Sequence, residues 1–137
     1  MEDKVKKLSE SELEIMLIVW SADKPVTSNY ILEHIKNERK WVLSTLMTVL
    51  ARLEKKKVLV CDRSTRTNYY SALISEDEYK TKVNRSFMEK LYGNSVSDLV
   101  ASLYNSKTID KKDLVELREL INRLDKENQD GDQRDIF

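Results

Sequence analysis

Between Lys40 and Leu73 the chain reads KWVLSTLMTVLARLEKKKVLVCDRSTRTNYYSAL, and this stretch leaves few folds open. Leu46, Val49, Leu50 and Leu53 recur at i, i+3, i+4 and i+7, the spacing of one buried helix face. Ser44, Thr48, Ala51 and Lys55 then project from the opposite side, flanked by Thr45, Met47 and Arg52. That outer face is small, hydroxylated and basic, a set of side chains able to meet base edges or phosphates in a major groove. Lys55, Lys56 and Lys57 close the helix, and Val58–Cys61 and Thr67–Ser71 read as two strands around a turn, Asp62–Arg66, that carries Arg63 and Arg66. A helix followed at once by a basic hairpin is the winged helix-turn-helix pattern, and duplex DNA is its natural partner.

Charge supports that partner. The 24 basic and 24 acidic residues cancel over the whole chain, but residues 1–75 carry 13 Lys+Arg against 10 Asp+Glu, and residues 76–137 carry 11 against 14. From Lys36 to Thr67 there are nine basic residues and three acidic ones. A field of that sign attracts phosphates and speeds encounter with nucleic acid.

The elements before this stretch complete a head domain over residues 1–75. Ser9 and Glu12 fit a capping box, with Leu8 placed to staple Leu13. The helix they open has an apolar stripe at Leu13, Met16, Leu17 and Trp20, widened by Ile15, Ile18 and Val19, so burial on more than one side is expected. Ser21–Pro25 ends it, since Pro25 forces an extended link. Thr27 or Ser28 caps a second helix with Ile31, Leu32 and Ile35 inward, and Asn37–Lys40 is expected to end it in a polar turn. His34, the only histidine, has no second ligand near it and reads as a partly exposed structural residue.

Past residue 75 the pattern is helical throughout. Glu76–Tyr92 presents Tyr79, Val83, Phe87 and Leu91 on one side, and Gly93–Asn94 breaks it in left-handed geometry. Ser95 or Ser97 starts a short helix holding Val96, Leu99, Val100, Leu103 and Tyr104. Asp110 with Asp113 caps a last helix whose Leu114, Leu117, Ile121 and Leu124 alternate by three and four, a seam of the coiled-coil type. These roughly fifty residues are too few to close a core alone. The sequence therefore predicts a mostly α fold with a small β-hairpin wing: a head over 1–75, a three-helix homodimerisation region over 76–126, and a flexible acidic tail over 127–137. The dimer contacts are expected at Phe87, Leu91, Leu99, Val100, Leu103, Leu114, Leu117, Ile121 and Leu124, and a symmetric dimer offers two reading helices to a palindromic operator.

Enzymatic chemistry finds no support: there is no glycine-rich phosphate loop, no metal-ligand spacing and no Ser/His/Asp order built on His34, so neither cofactor nor metal is expected. The lone Cys61 excludes an internal disulfide, which fits a reducing compartment. With no apolar run long enough to cross a bilayer and no signal peptide, a cytoplasmic protein without membrane insertion is expected. Three other readings stay open at this level: a redox sensor working through Cys61, a ligand-gated regulator of the same fold, and an adaptor that uses its winged helix for protein contacts alone.

The ordered set LSESELEIMLIVW, RLEKKKV, NYYSAL, FMEKLYGNSVSDLV and DKKDLVELRELINRL resembles the BlaI/MecI/CopY family of penicillinase-type repressors over nearly the whole chain. Glu14, Met16, Trp20, Trp41, Thr45, Thr48, Arg52, Leu53, Lys55, Lys56 and the Tyr69–Tyr70 pair match that family's pattern. The resemblance implies a dimeric winged-helix repressor of β-lactam-resistance or related genes, binding an operator with TACA/TGTA half-sites. It also implies release by a protease linked to a membrane sensor, and the bond aligned with the family's cleavage site is Ser102–Leu103. The metal-binding cysteine cluster of the copper branch has no counterpart past Cys61. Residues expected to contact DNA are Ser44, Thr45 and Thr48 at base edges, Arg52, Lys55 and Lys56 on phosphates, and Arg63 and Arg66 from the wing. One departure stands out: the family's Trp-Ser-Pro-Lys-Thr opening of this helix is Trp41-Val42-Leu43-Ser44-Thr45 here.

Overall fold

The computed structural model describes residues 7–35 and 41–135. In chain order these form α1 (Glu10–Ala22), α2 (Ser28–His34), α3 (Leu43–Lys55), β1 (Leu59–Asp62), β2 (Tyr69–Ala72), α4 (Glu76–Tyr92), α5 (Val96–Asn105) and α6 (Lys111–Asp135). The chain divides into two compact units, the first ending at Ser86 and the second beginning at Phe87. The division falls inside α4 rather than at residue 75. The reason is that the first turns of α4 are bound into the head: Tyr79 is buried, its hydroxyl accepts a 2.8 Å hydrogen bond from the Leu8 amide, and its ring lies 5.7 Å from that of Trp20.

In the first unit, the expected capping box is present. Ser9 Oγ accepts from the Glu12 amide at 3.2 Å, and Glu12 Oε1 accepts from the Ser9 amide at 2.8 Å. The face of α1 that enters the core is Glu12, Ile15, Met16 and Val19, whereas Leu17, expected inward, is exposed, and Leu13 and Trp20 are only half-buried. From Ile15 to Trp20 every residue is apolar, so the periodicity has no polar side from which to fix its phase. Thr27 caps α2 through a 3.1 Å bond from the Tyr30 amide, with Ile31 buried beneath. His34 is exposed and stacks on Tyr30 at 3.9 Å. The polar turn expected over Asn37–Lys40 lies outside the described residues.

Leu46, Val49, Leu50 and Leu53 are all buried, and with Val58, Leu59 and Tyr70 they join α1 and α2 in one core. Strands β1 and β2 pair antiparallel, Leu59 facing Ala72 and Cys61 facing Tyr70. A third rung comes from the linker between α1 and α2: the Val26 amide donates to the Tyr70 carbonyl at 2.9 Å, and the Tyr70 amide donates back to Val26 at 2.7 Å.

The second unit has different packing. Gly93 and Asn94 take positive φ, 52° and 65°, and end α4 as the sequence predicts. Ser95 caps α5, and Asp110 and Asp113 exchange reciprocal hydrogen bonds at the start of α6. Helix α6 continues to Asp135, past the point at residue 127 where the polar composition points to fraying. Gly131 is the only strong helix breaker in that stretch. Among the described residues, no side chain of this unit is fully buried. Leu99, Val100, Leu103, Leu114 and Leu117 are half-covered, and Phe87, Leu91, Ile121 and Leu124 are exposed, Leu91 to 64% and Ile121 to 55%. No helix among the described residues is long and apolar enough to cross a membrane.

Candidate nucleic-acid interface

Four buried side chains lock α3 in place, and its outward face is then fixed by helix geometry. Ser44, Thr45, Thr48, Ala51, Arg52 and Lys55 are all exposed. The helix follows Val42, which supplies no side-chain cap; it has no acidic residue in its first turn and carries Arg52 and Lys55 in its last. Thr48 donates its hydroxyl hydrogen to the Ser44 carbonyl at 3.0 Å, which leaves the oxygen's lone pairs outward as acceptors. Leu43 and Met47 on the helix and Val42 just before it are exposed, a feature the basic and hydroxyl pattern hides.

Two of the expected DNA-contacting cations are held by acids instead of standing free. Lys56 Nζ lies 2.7 Å from Glu12 Oε1, a carboxylate with 0% exposure, while the lysine side chain keeps 29%. Burial pushes the Glu12 carboxyl up, but hydrogen bonds from Lys56 and from Ser9, with the Lys56 charge, outweigh it and hold the group below its ordinary value of 4.5. Glu12 Oε2 is buried and has no hydrogen-bond partner among the described residues. On the wing, Arg63 Nη2 reaches both oxygens of Glu54, at 2.8 and 3.0 Å. Neither pair has a signal in the sequence beyond charge: the partners lie 44 and nine positions apart. Arg66 is exposed in the wing turn, which is shaped by bonds from the Ser64 amide to Asp62 and from the Thr65 hydroxyl to the Thr67 carbonyl.

In the second unit, Ser102 and Leu103 sit inside α5. The Ser102 carbonyl accepts from the Ser106 amide at 3.0 Å, the Leu103 carbonyl accepts from Thr108 at 2.9 Å, and the Tyr92 hydroxyl donates to Ser102 Oγ at 3.3 Å. The bond between them is part of a hydrogen-bonded helix, and cutting it requires that turn to open first.

Comparison with known proteins settles the lineage. The model of the penicillinase repressor family matches residues 8–123. The chain belongs to the penicillinase repressor family. This is a family of transcriptional repressors, not of enzymes. Similar members include the penicillinase repressor of Staphylococcus aureus, 31% identical over 126 residues that span 92% of this chain and 99% of that protein. The methicillin resistance regulatory protein MecI of Mammaliicoccus sciuri is 28% identical over 123 residues, covering 90% and 99%. Among solved structures, the monomeric form of Bacillus licheniformis BlaI in complex with the blaP half-operator is 29% identical, with a TM-score of 0.47, over 56% of this chain and 92% of that one.

Proposed function

We propose that this penicillinase repressor family member is a homodimer that binds a palindromic operator in double-stranded DNA and represses β-lactam-resistance or related genes. The observation that carries the reading is the exposed hydroxyl and basic face of α3, held rigid by four buried leucine and valine side chains beside a basic wing. Ser44, Thr45 and Thr48 meet base edges; Arg52 and Lys55 hold phosphates; Arg66 follows the backbone from the wing. Lys56 and Arg63 enter with their charge already shared with Glu12 and Glu54, so their first task is to brace the helix and the wing. Selection from a random duplex pool tests the proposal: an enriched palindrome is expected, and a pool that stays random contradicts it.

The division of labour among these residues has a separate measurable consequence. Lys55→Ala is expected to weaken binding to every duplex alike and to lower the slope of log affinity against log salt by about one phosphate contact. Thr48→Ala is expected to change sequence preference at a cost of about 1–3 kcal/mol, with the salt slope unchanged. Titrations on the enriched and a scrambled duplex at several salt concentrations check both, and identical profiles for the two variants refute the assignment.

The second unit supports the dimer. Its exposed apolar side chains on α4 and α6 have no core of their own to enter, and a second copy supplies one. Release follows when the tails part, because the second reading helix loses its tether. A sensor-linked protease acting at Ser102–Leu103 is a route to that end, provided α5 opens locally.

A further inference from the structure

Leu43 and Met47 project from α3 at 48% and 39% exposure, and Val42, just before the helix, reaches 55%. At 100° per residue, Met47 lies about 40° from Leu43 and about 40° from Ala51, with Ser44 and Thr48 next around the helix. The outward surface of α3 is thus two parallel stripes, one apolar and one hydroxylated, ending together at Lys55. Nothing among the described residues of the head buries the apolar stripe. Its occupant must also accept the cations that share the surface, Arg52 and Lys55, and the acid-free first turn. A major groove meets both conditions: phosphates line its walls, and its only apolar projection is the thymine C5-methyl group.

We infer that Leu43 and Met47 are specificity-determining residues that read thymine methyl groups, so the protein selects A·T pairs at the positions under the start of α3. The inference rests on the DNA-binding reading above and gives the apolar stripe its own task beside the hydrogen-bonding hydroxyls. Ser and Thr accept and donate to several bases, whereas a methyl contact is offered by one base only.

The test uses the duplex enriched from the random pool, synthesised once with thymidine and once with deoxyuridine at every thymidine position. Hydrogen-bonding edges are identical, and only the methyl groups differ. The protein is expected to bind the thymidine duplex about fourfold more tightly for each methyl it covers, the factor that burying one such group yields. Leu43→Ala combined with Met47→Ala is expected to bring the ratio of the two affinities close to one, with an unchanged salt slope. Met47→Gln, similar in length and at an exposed position, is expected to narrow the ratio without disturbing the fold. Equal binding of both duplexes by the unaltered protein, an undiminished ratio in the variants, or an enriched half-site without thymine overturns the inference while DNA binding stands. If no duplex is enriched, the DNA-binding reading itself fails and takes this inference with it.

Discussion

Lys56→Met is expected to destabilise the head by about 2–4 kcal/mol at pH 7, the range for stripping one partner from a largely buried ion pair. The figure sits below the full buried-pair penalty because the lysine keeps 29% exposure. What remains is a carboxylate with 0% exposure whose Oε2 already lacks a hydrogen-bond partner among the described residues, with only Ser9 to steady it. The pH dependence identifies the cause. In the unaltered protein the Glu12 carboxyl is held below 4.5, so its contribution to stability is fully present above that value and is lost as pH falls through the lower folded value. In the variant, burial acts unopposed by the ammonium and pushes the carboxyl up, so the cost is greatest at neutral pH and closes in acid. Urea unfolding at pH 7 and pH 4 measures both, and Glu12→Gln combined with Lys56→Met is expected to recover part of the loss. A neutral-pH loss under 0.5 kcal/mol would show that the pair behaves as an ordinary surface contact.

Ile121→Asp with Leu124→Asp is expected to produce monomers at micromolar concentration and to weaken operator binding by about 10²–10⁴-fold, the loss of avidity when two readers are no longer linked. Both side chains are exposed in the single chain, so the substitutions leave its own packing untouched and act only where a second copy would sit. Sedimentation velocity reads the assembly, circular dichroism verifies that the helices persist, and titration on full and half operators reads the coupling. Dimers that survive both charges would move the interface off α6, and monomers with undiminished affinity would break the link between pairing and repression.

Local order was legible where a residue's partner lies within a few positions. The Ser9–Glu12 and Asp110–Asp113 boxes, the Gly93–Asn94 break and the whole span of α4 follow from short-range chemistry, and all are present. The buried side of α3 was equally clear, because Ser44, Thr48 and Lys55 mark the opposite side. The core-facing side of α1 was not, since its apolar run offers no such contrast, and Leu17 rather than Glu12 looked like the inward residue. For the same reason Glu12 gave no sign of holding Lys56: one member of the pair sits in a cap and the other ends a helix 44 positions away, and only the fold joins them. Val26 pairing with Tyr70 is also a product of tertiary closure, invisible to any window of sequence.

That last rung gives the wing an uneven stiffness. Tyr70 is hydrogen-bonded to Val26 on one side and faces Cys61 of β1 on the other, so the root of the ribbon is clamped into the core. A second tie holds the start of the turn, where Arg63 grips Glu54 of α3, so only residues 64–68 overhang beyond both the last paired rung and that ion pair. They form a cantilever: built in at one end, compliant at the other. For a head that docks on a duplex, α3 sets the register within narrow tolerance, while Arg66 at the overhanging end adjusts to backbone shapes that vary from one site to the next.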